Sequence, residues 1–275
     1  MSKFLMAVLQ IDSQDDKKAN LEKVGAMIDE AASHGAQFVA MPECVHYCGR
    51  KAGTFANAEP IPGPMSEFFA SKAALHGIWL HCGSIGEIIP GEERLYNTTL
   101  LMDPKGEIAA RYEKIHMYDV VIKNGPSTKE SDTNKPGNRI VVADTDFCKV
   151  GLSICYDMRF PEMYRIMALR GAKVMMIPAN YTMFTGKDHW ECIMKTRAIE
   201  NQCYVVAPAQ IGKKPAYQAY GRSLIVNPWG VTVACAEDRE TIIYGEIDTD
   251  YVDLVRQQLP SLANRRPGAY VWPEE

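Results

Sequence analysis

The sequence predicts one layered α/β domain with a mixed sheet, and three observations carry that prediction. Strand-length apolar runs alternate with segments of helical spacing along most of the chain. Two strand–turn–strand units, around Asp103-Pro104-Lys105-Gly106 and Asn227-Pro228-Trp229-Gly230, sit among the βα units, so parallel and antiparallel pairs are expected together. No Ser/Gly-rich linker, charge block or repeat divides the 275 residues, so the expected domain is 1–275.

Residues 4–11 read as a first strand. Residues 15–33 follow with Leu21, Val24, Met27, Ile28 and Ala31 at helical spacing, and Gly35 supplies a C-terminal cap. A strand at 37–41 then places Glu43 at a carboxyl end, where α/β sheets bind ligands. Residues 66–76 read as a helix and 78–85 as a strand. Strands at 97–102 and 108–112 flank the first turn. Residues 115–138 form a long polar loop, a candidate active-site loop because such loops are uncommon inside compact domains. A buried strand at 150–154 precedes a helix at 161–170, a strand at 173–177, a helix at 187–201 and a strand at 203–208. Strands at 223–226 and 231–235 flank the second turn, and a last strand at 242–247 leads to a short helix from Tyr251. The polar tail, about 260–275, is expected to pack on the body or on a partner subunit.

Composition narrows the function. A formal net charge of −4 without a basic run argues against nucleic acid as a partner. No stretch approaches the roughly 18 apolar residues of a membrane span. The N-terminus reaches Asp12 and Asp15 too soon for a signal peptide, so a cytoplasmic protein is expected. Eight cysteines scatter without a disulfide framework and are expected to be mostly reduced.

The chemistry centres on Gly151-Leu152-Ser153-Ile154-Cys155-Tyr156-Asp157-Met158-Arg159-Phe160-Pro161-Glu162. Cys155 falls where a buried strand gives way to a helix, a place that exposes backbone N–H groups and can lower a thiol pKa. A cysteine attacking a C–N carbon also needs a base, oxyanion donors and an activated water. Glu43 is a candidate base, on the expectation that an apolar pocket raises its pKa. Lys114 and the backbone N–H of Tyr156 are candidate oxyanion partners. His34, His46, His76, His81, His116 and His189 compete for the role of base. Plainer readings stay open: a strand-end carboxylate, a solvated lysine and a core thiol. Periodicity does not show that the three meet. Glu43, Cys44, His46 and Cys48 have loose zinc-like spacing, but no second ligand pair accompanies them, so no metal site is expected.

Pro42-Glu43, Tyr112-Glu113-Lys114-Ile115-His116 and the block from Ile154 to Glu162 resemble, in chain order, the three signature blocks of the nitrilase superfamily of carbon–nitrogen hydrolases. His189-Trp190-Glu191, Arg197-Ala198-Ile199-Glu200-Asn201-Gln202 and Asn227-Pro228-Trp229-Gly230 extend the resemblance over nearly the whole chain. It implies an αββα sandwich that dimerises or assembles further. It also implies a Glu–Lys–Cys triad of Glu43 as base, Lys114 as oxyanion partner and Cys155 as nucleophile. Glu130 matches the second active-site glutamate of that family.

Met158-Arg159-Phe160-Pro161-Glu162, Thr185-Gly186 and Tyr220-Gly221-Arg222-Ser223 look like the Nit amidase branch, whose members act on deaminated glutathione and on ω-amides of 2-oxo acids. The function implied is cleavage of a linear, non-peptide amide to acid plus ammonia through a Cys thioester. Arg159 would grip a substrate carboxylate, unless it pairs with Glu162 or Asp157 instead. Tyr47, Asn180, Tyr181 and Thr185 are further candidates for lining the pocket, beside Tyr156. Cys44 to Cys48, Lys187-Asp188 and Arg222 depart from the branch pattern and are expected to border the pocket. They keep a different acyl amide or an N-carbamoyl amino acid as alternative substrates; a nitrile substrate and a non-catalytic interaction role are alternatives the family resemblance leaves.

Overall fold

The computed structural model describes residues 2–125 and 127–272. Its first half holds β1 (Lys3–Gln10), α1 (Lys17–Ser33), β2 (Phe38–Ala40), α2 (Lys51–Asn57), α3 (Pro64–His76), β3 (Trp79–His81), β4 (Ile85–Ile88), β5 (Leu95–Met102) and β6 (Ile108–Glu113). A small hairpin follows, β7 (Asp119–Val121) and β8 (Ser127–Lys129). The second half holds β9 (Val141–Asp144), β10 (Lys149–Leu152), α4 (Pro161–Leu169), β11 (Val174–Met176), α5 (Met183–Asn201), β12 (Tyr204–Ala207), β13 (Ile211–Lys213), β14 (Gln218–Tyr220), β15 (Leu224–Val226), β16 (Thr232–Cys235), β17 (Thr241–Asp248) and α6 (Thr249–Gln258).

Two mixed sheets form, as the family resemblance implies, where the order of elements alone suggested one. The first runs β17-β1-β2-β3-β5-β4, with β6 also on β5; the second runs β16-β15-β12-β11-β10-β9. Each has a parallel centre (β1-β2-β3 and β10-β11-β12) flanked by antiparallel strands. The burial of β1 shows how the layers arise. Phe4, Met6 and Val8 pack with the second sheet in one apolar cluster. Ala7 and Leu9, on the opposite face, join Val24 and Ile28 of α1 and Phe69 of α3 in another. Both faces of the strand are buried, so period two delivers a continuous apolar run. On the far side of the second sheet, Met163 and Met167 of α4 and Trp190 and Met194 of α5 complete a four-layer αββα sandwich.

Several local readings are corrected. The single strand expected at 78–85 is two, because Gly83 turns at φ +62 and sits so close to Pro42 that a Cβ would lie 2.1 Å from its carbonyl oxygen. The polar segment 115–138 carries the β7–β8 hairpin, turned at Asn124 (φ 58) and Gly125, and a 3-10 turn at Glu130–Asp132. The short elements α2, β9 and the β13–β14 hairpin have no counterpart in the sequence reading, since none is long enough to show a period. Helix α5 starts at Met183, a turn before the expected 187. In the tail, Leu262 packs against the core, while Tyr270, Val271 and Trp272 are exposed, open to the partner-subunit half of the expectation. Residues 273–275 of that tail lie outside the described residues.

Candidate active site

Glu43 stands three residues past β2, where the chain from Pro42 to Val45 is laced to Ser84. Its carboxylate is buried and surrounded by donors. Oε1 accepts from Asn97 Nδ2 at 2.9 Å and Lys114 Nζ at 3.1 Å; Oε2 accepts from the Asn180 backbone N–H at 2.8 Å. The apolar pocket expected around Glu43 is therefore not what the fold builds. Asn97 is absent from the sequence candidates; its strand also carries Thr98 and Thr99, so no local contrast singled it out.

Lys114 directly follows β6, and its N–H extends the ladder to the Asn97 carbonyl at 2.9 Å. Its ammonium also reaches Glu130 at 3.0 and 2.8 Å. Burial pulls the Lys114 pKa down, but Glu130 and Glu43 outweigh it and hold the group well above its ordinary value, so it stays charged. Glu130 is fixed in turn by the Tyr118 N–H at 2.7 Å and Asn134 at 3.1 Å. Burial alone would raise its pKa; Lys114 reverses that and lowers it.

Cys155 occupies a left-handed conformation, φ 48, uncommon for a residue with a side chain and typical of functional sites. A 3-10 turn (Cys155–Arg159) and Phe160 separate it from α4, so it does not sit at the α-helix N-terminus. The expected lowering of the thiol pKa is accordingly reversed. Burial pushes it well up, and the charge of Glu43 adds to the rise. The resting side chain is therefore a protonated thiol. The elbow is pinned by the Cys155 N–H on the Pro178 carbonyl at 2.8 Å and by Asp157, which is wholly buried. Asp157 accepts from the Ile154 N–H (2.8 Å), Tyr112 Oη (2.6 Å), and the backbone and ring nitrogens of His116 (3.0 and 2.7 Å).

Glu43, Asn97, Lys114, Glu130 and Cys155 line one cavity of about 800 Å³, together with Tyr47, Tyr156, Asn180, Tyr181 and Thr185. Among the described residues His46 is the one histidine on its wall, and burial pulls its pKa down to about 3, so it is neutral. Asn180 gives its Nδ2 to Tyr217 Oη at 2.6 Å and to Cys48 Sγ at 3.3 Å. Arg159 does not line the cavity. Its guanidinium lies against the Tyr156 and Tyr181 rings, 5.9 and 5.6 Å from their centroids, donates to the Tyr181 hydroxyl and meets His189 Nδ1 at 3.2 Å. It pairs with neither Glu162 nor Asp157. Of the departures from the branch pattern, Cys44 and Cys48 line the cavity. Lys187 and Arg222 do not border it: Lys187 pairs with its neighbour Asp188 on the surface, and Arg222 turns to Asp238 at 3.0 Å. No group of three or more His, Cys, Asp or Glu among the described residues is arranged to hold a metal ion.

This αββα sandwich, in which a thiol, an ammonium and two carboxylates line one cavity, matches solved structures of the nitrilase superfamily. It superposes on the NitFhit protein of C. elegans with a TM-score of 0.91 and 35% identity, covering 98% of this chain and 67% of that one. Nit3 of Saccharomyces cerevisiae, a member of branch 10 of that superfamily, matches with a TM-score of 0.88 and 30% identity over 97% of each chain. The chain belongs to the carbon–nitrogen hydrolase family, whose model matches residues 5–257. A deaminated glutathione amidase of Synechocystis is 38% identical over 96% of this chain and 99% of its own length. The omega-amidase NIT2 of Homo sapiens is 37% identical over 98% of each.

Proposed function

We propose that this chain hydrolyses a linear ω-amide of a carboxylate-bearing acid through a thioester on Cys155. The carrying observation is that Glu43 and Lys114 hydrogen-bond each other in the cavity that Cys155 lines. The relatives' activities on ω-amides and deaminated glutathione supply the substrate class. Because burial keeps the Cys155 thiol protonated, attack is coupled to transfer of its proton to Glu43. The S–C bond forms, and the oxyanion develops between the Lys114 ammonium and the Tyr156 N–H. Glu43 returns the proton to the departing nitrogen, the C–N bond breaks, and ammonia leaves a thioester. Glu43 then deprotonates a water that attacks the same carbon, and the S–C bond breaks as Cys155 takes the proton back. Glu130 holds Lys114 through a second ion pair. Protein side chains carry every proton in this scheme, so it calls for no metal or organic cofactor.

Arg159 acts on the substrate carboxylate through Tyr181. The hydroxyl accepts from the guanidinium, which leaves its own proton for a substrate oxygen in the cavity Tyr181 lines, and burial raises its pKa to about 12, so it remains a donor. A homodimer or larger homo-oligomer in the cytoplasm belongs to the same reading. Exposed Ile166, Leu169 and Ile199 on α4 and α5 support the assembly, and eight free cysteines suit a reducing compartment. The test is acid and ammonia release from 2-oxoglutaramate, with mass detection of the acyl-enzyme. Cys155→Ala is expected to stay folded, form no adduct and release nothing; turnover retained by that variant overturns the scheme.

A further inference from the structure

We propose that Lys51 and Lys129 form an outer anion subsite at the mouth of the cavity, selecting amides that carry a negative group far from the scissile carbon. The proposal rests on the amidase reading above for its substrate. The argument begins with the cations at the cavity. Lys114 is committed to Glu43 and Glu130. Lys214, with a side chain only 1% exposed, is tied to Asp12 at 2.6 Å, the Ser13 carbonyl at 2.8 Å and Gln210 at 3.1 Å. Arg159 stands behind Tyr156 and Tyr181.

Lys51 and Lys129 differ from all of these. Both line the cavity, and their side chains are 63% and 67% exposed. They come from opposite segments, the start of α2 and the end of β8, and converge on Asp132. The contacts are loose, 3.7 Å from Lys51 and 3.4 Å from Lys129. Two ammonium groups sharing one carboxylate leave a positive charge at the entrance, and a substrate carboxylate can join or displace Asp132 without breaking a tight pair. Thr54 and Thr128, on the same two segments, add hydroxyls to this part of the wall.

Volume points the same way. A cavity of about 800 Å³ is of the size that encloses a drug-sized ligand, far more than a five-carbon amide occupies. The seat is also coupled to the chemistry. Lys129 immediately precedes Glu130, which is bonded to Lys114 and to the Tyr118 N–H. A long substrate thus has its reacting carbon at Cys155 and its far charge at Lys51 and Lys129. A short ω-amide uses only the inner end.

The experiment compares 8-amino-8-oxooctanoate with neutral octanamide and with short succinamate, at low ionic strength. In Lys51→Gln/Lys129→Gln, KM for the eight-carbon anion is expected to rise roughly five- to tenfold with kcat retained. KM for octanamide and succinamate should stay put, and the rise should shrink in high salt. Asp132→Asn should shift KM for the long anion the opposite way. An equal shift for octanamide, or none for the long anion, overturns the subsite. Binding of octanedioate to the Cys155→Ala protein reads the same subsite without turnover. Weaker binding in the double-lysine variant supports it even if no amide is hydrolysed, and unchanged binding overturns it.

Discussion

The floor and the rim of the cavity use the same residue types in opposite ways. On the floor, Lys114 is 2% exposed and lies 2.8 Å from Glu130 and 3.1 Å from Glu43. At the rim, Lys51 and Lys129 approach Asp132 no closer than 3.4 Å in open water. Low dielectric and fixed partners make the floor charges strong and immobile, which suits chemistry that depends on where charge develops. Solvent screens the rim charges, so they bias which substrate enters at little cost to the fold.

Mutation of the two regions should separate these roles. The largest effect is expected from Lys114→Met, which leaves Glu43 and Glu130 facing each other with their shared cation gone. Breaking a buried pair costs about 3–5 kcal/mol, so urea unfolding should shift by that order and turnover should vanish. Full activity in that variant would remove the floor from the mechanism.

Asp157→Asn comes next. The variant amide cannot accept from all four donors that now hold the elbow, and a buried unpaired donor costs about 1–3 kcal/mol. We expect a matching loss in unfolding free energy, and kcat to fall while KM holds, because Asp157 positions Cys155 and does not meet substrate. A change in KM alone would contradict that assignment.

A pH series sharpens the contrast from the side of stability. Burial holds His46 and His81 at about 3. Their folded pKa lies below the unfolded value, so the unfolded chain binds more protons. Stability is then complete above about pH 6.5 and lost as pH falls toward 3, with a slope of up to about 2.7 kcal/mol per pH unit from the pair. Denaturant titrations between pH 4.5 and 6.5 measure that slope, and a flat profile refutes it. The smallest effect belongs to the rim: Lys51→Gln/Lys129→Gln should change unfolding free energy by less than about 1 kcal/mol, and a larger loss would make the rim structural.

What was legible in the sequence follows from range. Strand β1 and helix α1 were read nearly to their ends because period two and 3.6-residue spacing are local signals. The elements that escaped, such as α2 and the β13–β14 hairpin, are too short for a period and are held by tertiary contacts. Tyr217 reaches Asn180 from that hairpin, so no local pattern announced it. Asn97 and Asp157 escaped differently: both are buried polar residues whose partners lie far along the chain, 54 residues from Asn97 to Glu43 and 41 from Asp157 to His116.

By itself the sequence determined the α/β class, the chain order of the signature blocks and the family, since local periodicity and short motifs carry that information. Only the tertiary structure decided that donors rather than apolar walls surround Glu43 and that the Cys155 thiol is raised. Each of these depends on which distant groups share a buried volume, and the electrostatics of a site is a sum over those neighbours.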